Sequence, residues 1–131
     1  MGIEVTSDVM TAMELAAERS APNEACGILL GDGESITALI PAMNVHPTPQ
    51  THFEIDPQAL IDAHRATRND GPLILGYFHS HPSGDPNPSK TDREMAAGDG
   101  LVWAIYGAGE IAFWRSEANG FVALSYCVTD G

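Results

Sequence analysis

Gly76-Tyr77-Phe78-His79-Ser80-His81-Pro82-Ser83-Gly84-Asp85-Pro86-Asn87-Pro88-Ser89-Lys90-Thr91-Asp92 is the stretch from which the rest of the chain can be read. An apolar run over residues 73–78 leads into two histidines spaced i, i+2. Side chains alternate across a strand, so both imidazoles leave the same face. Pro82 lacks a backbone donor and ends the strand, and the Pro/Gly-rich positions after it form a turn. Ser89 and Asp92, spaced i, i+3, then open a helix and occupy neighbouring positions in its first turn, so Asp92 can deliver an oxygen beside the two nitrogens. Two neutral imidazoles and one carboxylate make a three-ligand set for zinc whose fourth position is left to water, which is the catalytic rather than the structural arrangement. Ser-x-x-Asp is equally a helix-start signature, because Ser caps free N–H groups and an acid suits the positive end of the helix dipole. The conjunction of a His-x-His strand end, a rigid turn and Ser-x-x-Asp favours the site.

Outside this stretch, 131 residues fit one domain, 1–131, large enough to bury a core without disulfide or metal staples. With 44% hydrophobic and 18% charged residues the chain is an ordinary globular one. Its 18 Asp and Glu against 6 Lys and Arg leave a formal charge of −12. Such a surface repels a nucleic-acid backbone, and no basic patch compensates. The two cysteines, Cys26 and Cys127, lie far apart with no Cys-x-x-Cys spacing, as expected of a reduced intracellular chain. No secretory signal follows Met1 and no apolar run approaches a bilayer span, so no membrane association and a cytoplasmic location are expected.

Working outward, residues 3–5 read as a first strand, and Thr6 or Ser7 caps a helix to Ser20 whose Val9, Met13 and Ala16 recur at helical spacing. Pro22-Asn23 then delivers Glu24 to the mouth of an apolar strand, Ile28-Leu29-Leu30. Gly31-Asp32-Gly33-Glu34 is hairpin chemistry leading to a partner strand over residues 35–40. A Pro-rich loop follows to Gln50, then a short strand over 51–55. Asp56-Pro57 starts a helix with Leu60, Ile61, Ala63 and His64 on one mostly apolar flank. His46 and His52 are given no role, and Cys26 reads as a small buried hydrophobe. Beyond a short helix ended by Gly98, three β-rich runs at 101–106, 110–114 and 121–126, joined by Gly-rich and Asn-Gly turns, form an antiparallel meander. The element order describes an α+β, three-layer α/β/α-like domain with a mixed, curved sheet carrying the metal on its edge.

Glu24 upstream of His79-Ser80-His81-Pro82, with Ser89 and Asp92 beyond, resembles the complete JAMM motif of the MPN (Mov34/JAB) zinc-peptidase family. The Glu24-Ala25-Cys26-Gly27-Ile28-Leu29-Leu30-Gly31 context is similar to the short prokaryotic members. The resemblance covers essentially the whole chain and implies the MPN fold. In active members it also implies hydrolysis of peptide or isopeptide bonds at the C-terminus of a ubiquitin-like or sulfur-carrier β-grasp protein. It implies one Zn2+ per chain held by His79, His81 and Asp92, Glu24 as general base, and Ser89 as a polar partner that can donate to the oxyanion. Ser80 faces the other way on the strand and reads as structural. Two other readings remain: a catalytically silent MPN scaffold, and a RadC-like DNA-associated protein, whose motif is similar but against which the Glu-Ala-Cys-Gly context and the acidic balance both argue. Oligomeric state is left open.

Overall fold

Alternating side chains along the middle strands divide the apolar residues between two faces of one sheet, and a helix closes each face. The computed structural model describes residues 2–131. In chain order the elements are β1 (Ile3–Thr6), α1 (Ser7–Ser20), β2 (Cys26–Asp32), β3 (Ser35–Ala42), α2 (Pro57–Arg68), β4 (Leu73–His81), α3 (Lys90–Met95), β5 (Val102–Gly107), β6 (Glu110–Glu117), β7 (Gly120–Leu124) and β8 (Tyr126–Thr129). Eight strands form one mixed sheet in the order β7-β6-β5-β4-β2-β3-β1-β8. β4 and β5 run parallel, as does β1 to both β3 and β8; the other neighbours are antiparallel.

On one face Val9, Met13 and Ala17 of α1 pack on Val5, Leu29, Ile36, Phe78, Ala104 and Phe113. On the other, Ala63 of α2 joins Cys26, Ile28, Leu30, Phe53 and Trp103. Helices on both sides of a sheet give the expected α+β, three-layer arrangement. Both long helices start as their sequences dictate: Thr6 accepts from the Val9 N–H, and Asp56 accepts from Gln58 ahead of Pro57 at the first helical turn. In β4 the register slips, because Leu29 pairs with Gly76 but Leu30 with Ile74. The extra residue, Leu75, is turned to the α1 face while Ile74 serves the α2 face. Gly76 sits at this slip because any Cβ there would collide with the Val102 carbonyl of β5.

Several expectations are corrected. Residues 51–55 are not a strand: a turn leads to an isolated bridge between Ile55 and Asn44, since the loop's backbone groups are taken up by the Asn44 side chain instead of a ladder. Residues 121–126 do not form one strand; the chain leaves β7 at Leu124, and β8 pairs with β1 at the opposite edge of the sheet. The unpaired side of β1 offers that strand a full parallel ladder from Ile3 to Thr6. His64 and Ile61 are exposed rather than packed, so the buried flank of α2 is carried by Ala63 with Ala59 and Leu60. The His-x-His pair ends β4, an interior strand, so the cluster lies at the end of the middle of the sheet and not along its edge. α3 also stops at Met95, short of Gly98, with Ala96 already extended. No helix among the described residues is long and apolar enough to cross a membrane.

Candidate metal centre

β4 supplies two of the side chains directly. His79 and His81 leave the α2 face, as their spacing requires, and their Nε2 atoms are 3.1 Å apart. α3 supplies the third. Ser89 is its N-cap, accepting from the Asp92 N–H at 3.0 Å, while the Ser89 N–H donates to Asp92 Oδ2 at 2.9 Å. This reciprocal capping box points the carboxylate back out of the helix start, towards β4. Asp92 Oδ2 is 3.0 Å from His81 Nε2 and 3.1 Å from His79 Nε2. The two meanings of Ser-x-x-Asp thus coincide: the cap is what aims the acid.

Glu24 is brought in by anchors on both sides. Its N–H donates to the Pro49 carbonyl at 2.7 Å and its carbonyl accepts from Asn44 Nδ2 at 3.1 Å. One residue on, the Ala25 N–H donates to Ser80 Oγ at 2.8 Å, and the Ser80 N–H donates back to the Ala25 carbonyl at 3.1 Å. Ser80 therefore acts as a fastener between β4 and the Glu24 segment, the structural role expected from its facing away from the histidines. Glu24, His81 and Ser89 line one cleft of about 280 Å³, together with Asp85 and Asn87.

The electrostatics of the four groups differ. Burial pushes Glu24 up to about 7; the nearby His81 opposes this and Asp92 adds to it. Burial would also raise Asp92, but hydrogen bonds with His79 and His81 overcome it and hold the carboxyl well below the usual range. His79 is fully buried, stacked on Phe53 at 4.3 Å and met edge-on by Trp103 at 5.6 Å, and that burial keeps its imidazole neutral. His81 is buried less; its Asp92 and Asp85 partners outweigh the burial and raise it. His81 Nδ1 lies 2.7 Å from the Asp85 carbonyl, an acceptor only, so Nδ1 carries a proton and Nε2 is the nitrogen turned to His79 and Asp92.

These donors fit a metal. His79, His81 and Asp92 form the one His/Cys/Asp/Glu group among the described residues able to hold an ion. Ligands about 2.0–2.1 Å from a tetrahedral zinc lie roughly 3.3 Å apart. The cluster's separations of 3.0–3.1 Å are close to that. Nitrogen and carboxylate oxygen donors are also the set that zinc accepts.

Cys26 is near Glu24 but inert, as its reading as a buried hydrophobe expected: burial, aided by the Glu24 charge, pushes its thiol up to about 12. His46 and His52 stack on each other at 4.6 Å outside the cluster. Sequence reasoning missed Asn44. Its amide donates to the Glu24, Pro49 and His52 carbonyls and accepts from the His46 and Glu54 N–H groups, so one side chain holds the whole loop against the Glu24 segment. The available signal was an amide within a proline-rich loop, whose carbonyls outnumber its own donors. Also missed was Trp114, whose Nε1–H donates to the Pro86 carbonyl at 3.0 Å across the site turn.

Comparison with known proteins finds a family and relatives for this chain. Residues 6–117 match the family Prok-JAB, prokaryotic homologs of the JAB domain. The desampylase of Haloferax volcanii is 34% identical over 107 residues, 80% of this chain and 77% of that protein. The probable TtuB-protein conjugate cleaving protease of Thermus thermophilus is 42% identical over 78 residues, 60% of this chain and 52% of that protein. The CysO-cysteine peptidase of Mycobacterium tuberculosis is 30% identical over 94 residues, 70% of this chain and 64% of that protein. Among solved structures, protein DSY2949 of Desulfitobacterium hafniense superposes with a TM-score of 0.86 at 29% identity, covering 98% of this chain and 94% of that one. AF2198, a JAB1/MPN domain protein from Archaeoglobus fulgidus, shares the fold at a TM-score of 0.61 and 18% identity, covering 96% and 97%.

Proposed function

Because this chain belongs to the family of prokaryotic homologs of the JAB domain, we propose that it is a zinc-dependent peptidase or isopeptidase. In this reading residues 1–131 form one catalytic domain that hydrolyses the bond at the C-terminus of a ubiquitin-like or sulfur-carrier protein. His79, His81 and Asp92 hold one zinc per chain, and relatives named for desampylation, TtuB-conjugate cleavage and CysO-cysteine hydrolysis support the substrate class. Bound there, zinc supplies a water acidified towards neutral pH and a Lewis acid for the scissile carbonyl. Glu24 accepts the proton of the attacking water and hands it to the leaving amine, a task suited to a carboxyl poised near 7. Ser89 Oγ already accepts from the Asp92 N–H, which leaves its own O–H free to donate to the oxyanion. Free thiols at Cys26 and Cys127 suit work in the reducing cytoplasm.

The observation that carries the reading is the convergence of three donor atoms within 3.1 Å of one another, with His81 sharing a cleft with Glu24, whose carboxyl is pushed up to about 7 by burial. The test is to incubate the purified protein with a ubiquitin-like protein bearing a C-terminal extension, with and without a chelator, and to follow product masses. Wild type should cleave only without chelator. Glu24→Gln should retain zinc yet lose cleavage; hydrolysis by that variant at the wild-type rate would overturn the mechanism.

A further inference from the structure

Gly107 ends β5 directly beside His81, its register partner in the parallel β4–β5 ladder, and the same face of the sheet continues from the histidines to position 107. No side chain rises there. Instead the turn after β4 lies over the glycine: a Cβ built on Gly107 would come within 2.5 Å of the Asp85 carbonyl carbon, 2.6 Å of its oxygen and 2.7 Å of the Gly84 oxygen. That Asp85 oxygen is the one accepting from His81 Nδ1 at 2.7 Å. The adjoining carbonyl, of Pro86, is held by the indole N–H of Trp114, which lies on β6 beyond the glycine.

From this we propose that Gly107 and Trp114 are positioning residues for His81. Gly107 leaves room for the Asp85 peptide to lie flat against the end of β5, and Trp114 pins the peptide next to it. Together they hold the carbonyl that accepts from His81 Nδ1 and so orients the ring with Nε2 turned to His79 and Asp92. Orienting partners of this kind change metal affinity by roughly 10–100-fold when they are lost. Gly107 would otherwise be assigned only to the hairpin between β5 and β6. A turn alone does not require a bare Cα here, because the close contacts come from the site turn and not from the hairpin.

The inference rests on His81 being a metal ligand, and the experiment separates the two claims. Cobalt(II) binding by absorbance, with zinc by chelator competition, is measured for wild type, Gly107→Ala and Trp114→Phe, alongside metal-free melting and the 15N shifts of His81. Expected are a metal dissociation constant raised about 10–100-fold in Gly107→Ala and by a smaller factor in Trp114→Phe, which keeps an aromatic ring and removes only the N–H. In metal-free Gly107→Ala the His81 Nδ1 shift should move from its wild-type value as the Asp85 carbonyl is displaced, while the melting temperature stays close to wild type. Should wild type bind no metal, the zinc reading and this inference fall together. If wild type binds but both variants match it within about twofold and keep the His81 shift, this inference alone is overturned. It is overturned as well if affinity falls only in step with a fall in metal-free stability, which is what a purely structural role would give.

Discussion

Phe78 and His79 are consecutive on β4, both fully buried, and face opposite sides of the sheet. Phe78 enters the apolar cluster closed by α1. His79 enters the α2 side, where Phe53 and Trp103 pack its ring as they would a phenyl group, yet its Nδ1 is the one buried side-chain nitrogen or oxygen among the described residues with no hydrogen-bond partner. The two faces show that equal burial can serve opposite ends. On one side it contributes stability; on the other it desolvates the group proposed to hold a cation.

The sharpest way to break that contrast is a pair of substitutions one residue apart. His79→Phe keeps the stacking but removes both the candidate ligand and the unpaired nitrogen, so hydrolysis and metal binding should vanish; relief of the unsatisfied Nδ1, worth about 1–3 kcal/mol, offsets the lost Nε2 bond to Asp92, and metal-free stability should stay close to wild type. Phe78→Ala should lower stability by about 3–5 kcal/mol and leave the metal affinity of the folded fraction unchanged. Urea titrations and cobalt binding on the same samples check both. Should His79→Phe destabilise as much as Phe78→Ala, the histidine is part of the core's stability and the contrast fails.

Ser89 gives a smaller effect that probes the site's open side. Ser89→Ala removes the acceptor for the Asp92 N–H, a cap worth about 1 kcal/mol, and with it the proposed oxyanion donor, worth on the order of 100-fold in turnover. The two roles separate by assay: turnover at saturating zinc should fall about 100-fold, while melting shows only the loss of the cap. A fall in turnover of less than about threefold would leave Ser89 as a helix cap and nothing more.

How much of this could be read in advance follows from the range of the interactions involved. The His-x-His strand end, the Asp56-Pro57 and Ser89 caps and the β5–β7 meander are local, set by residues within a few positions of one another, and all are present in the structure. The position of β8 was not legible because it depends on which distant strand leaves an edge free, and nothing in residues 121–129 refers to Ile3–Thr6. Similarly, Asn44 and the indole of Trp114 act through backbone carbonyls 20 and 28 residues away, partners that carry no side-chain identity for a sequence pattern to register. Glu24 lay between these cases. Its distance from the histidines in sequence is large, and the family's motif, not its own loop, identified it.

Glu24 also yields the mildest test of the contrast, because it places an ionisable group on the α2 side without a direct ion-pair partner. Its carboxyl titrates near 7 in the fold against 4.5 ordinarily, so the native protein binds the extra proton between those values. Stability from this group is therefore present at low pH and is lost as pH rises from about 4.5 through 7. Metal-free wild type should melt lower at pH 8 than Glu24→Gln, by a few degrees, and the difference should close at pH 4.5, where both side chains are neutral. In the zinc-loaded enzyme the nearby cation favours the carboxylate, so the acid limb of the hydrolysis profile should fall at or below pH 7. Melting curves for the two proteins across pH 4.5–8, with chelator present, check the sign. If the wild type gains stability relative to Glu24→Gln as the pH rises, then Glu24 is stabilised as a carboxylate without any metal, and the α2 side of the sheet is not the desolvated environment that the contrast with Phe78 requires.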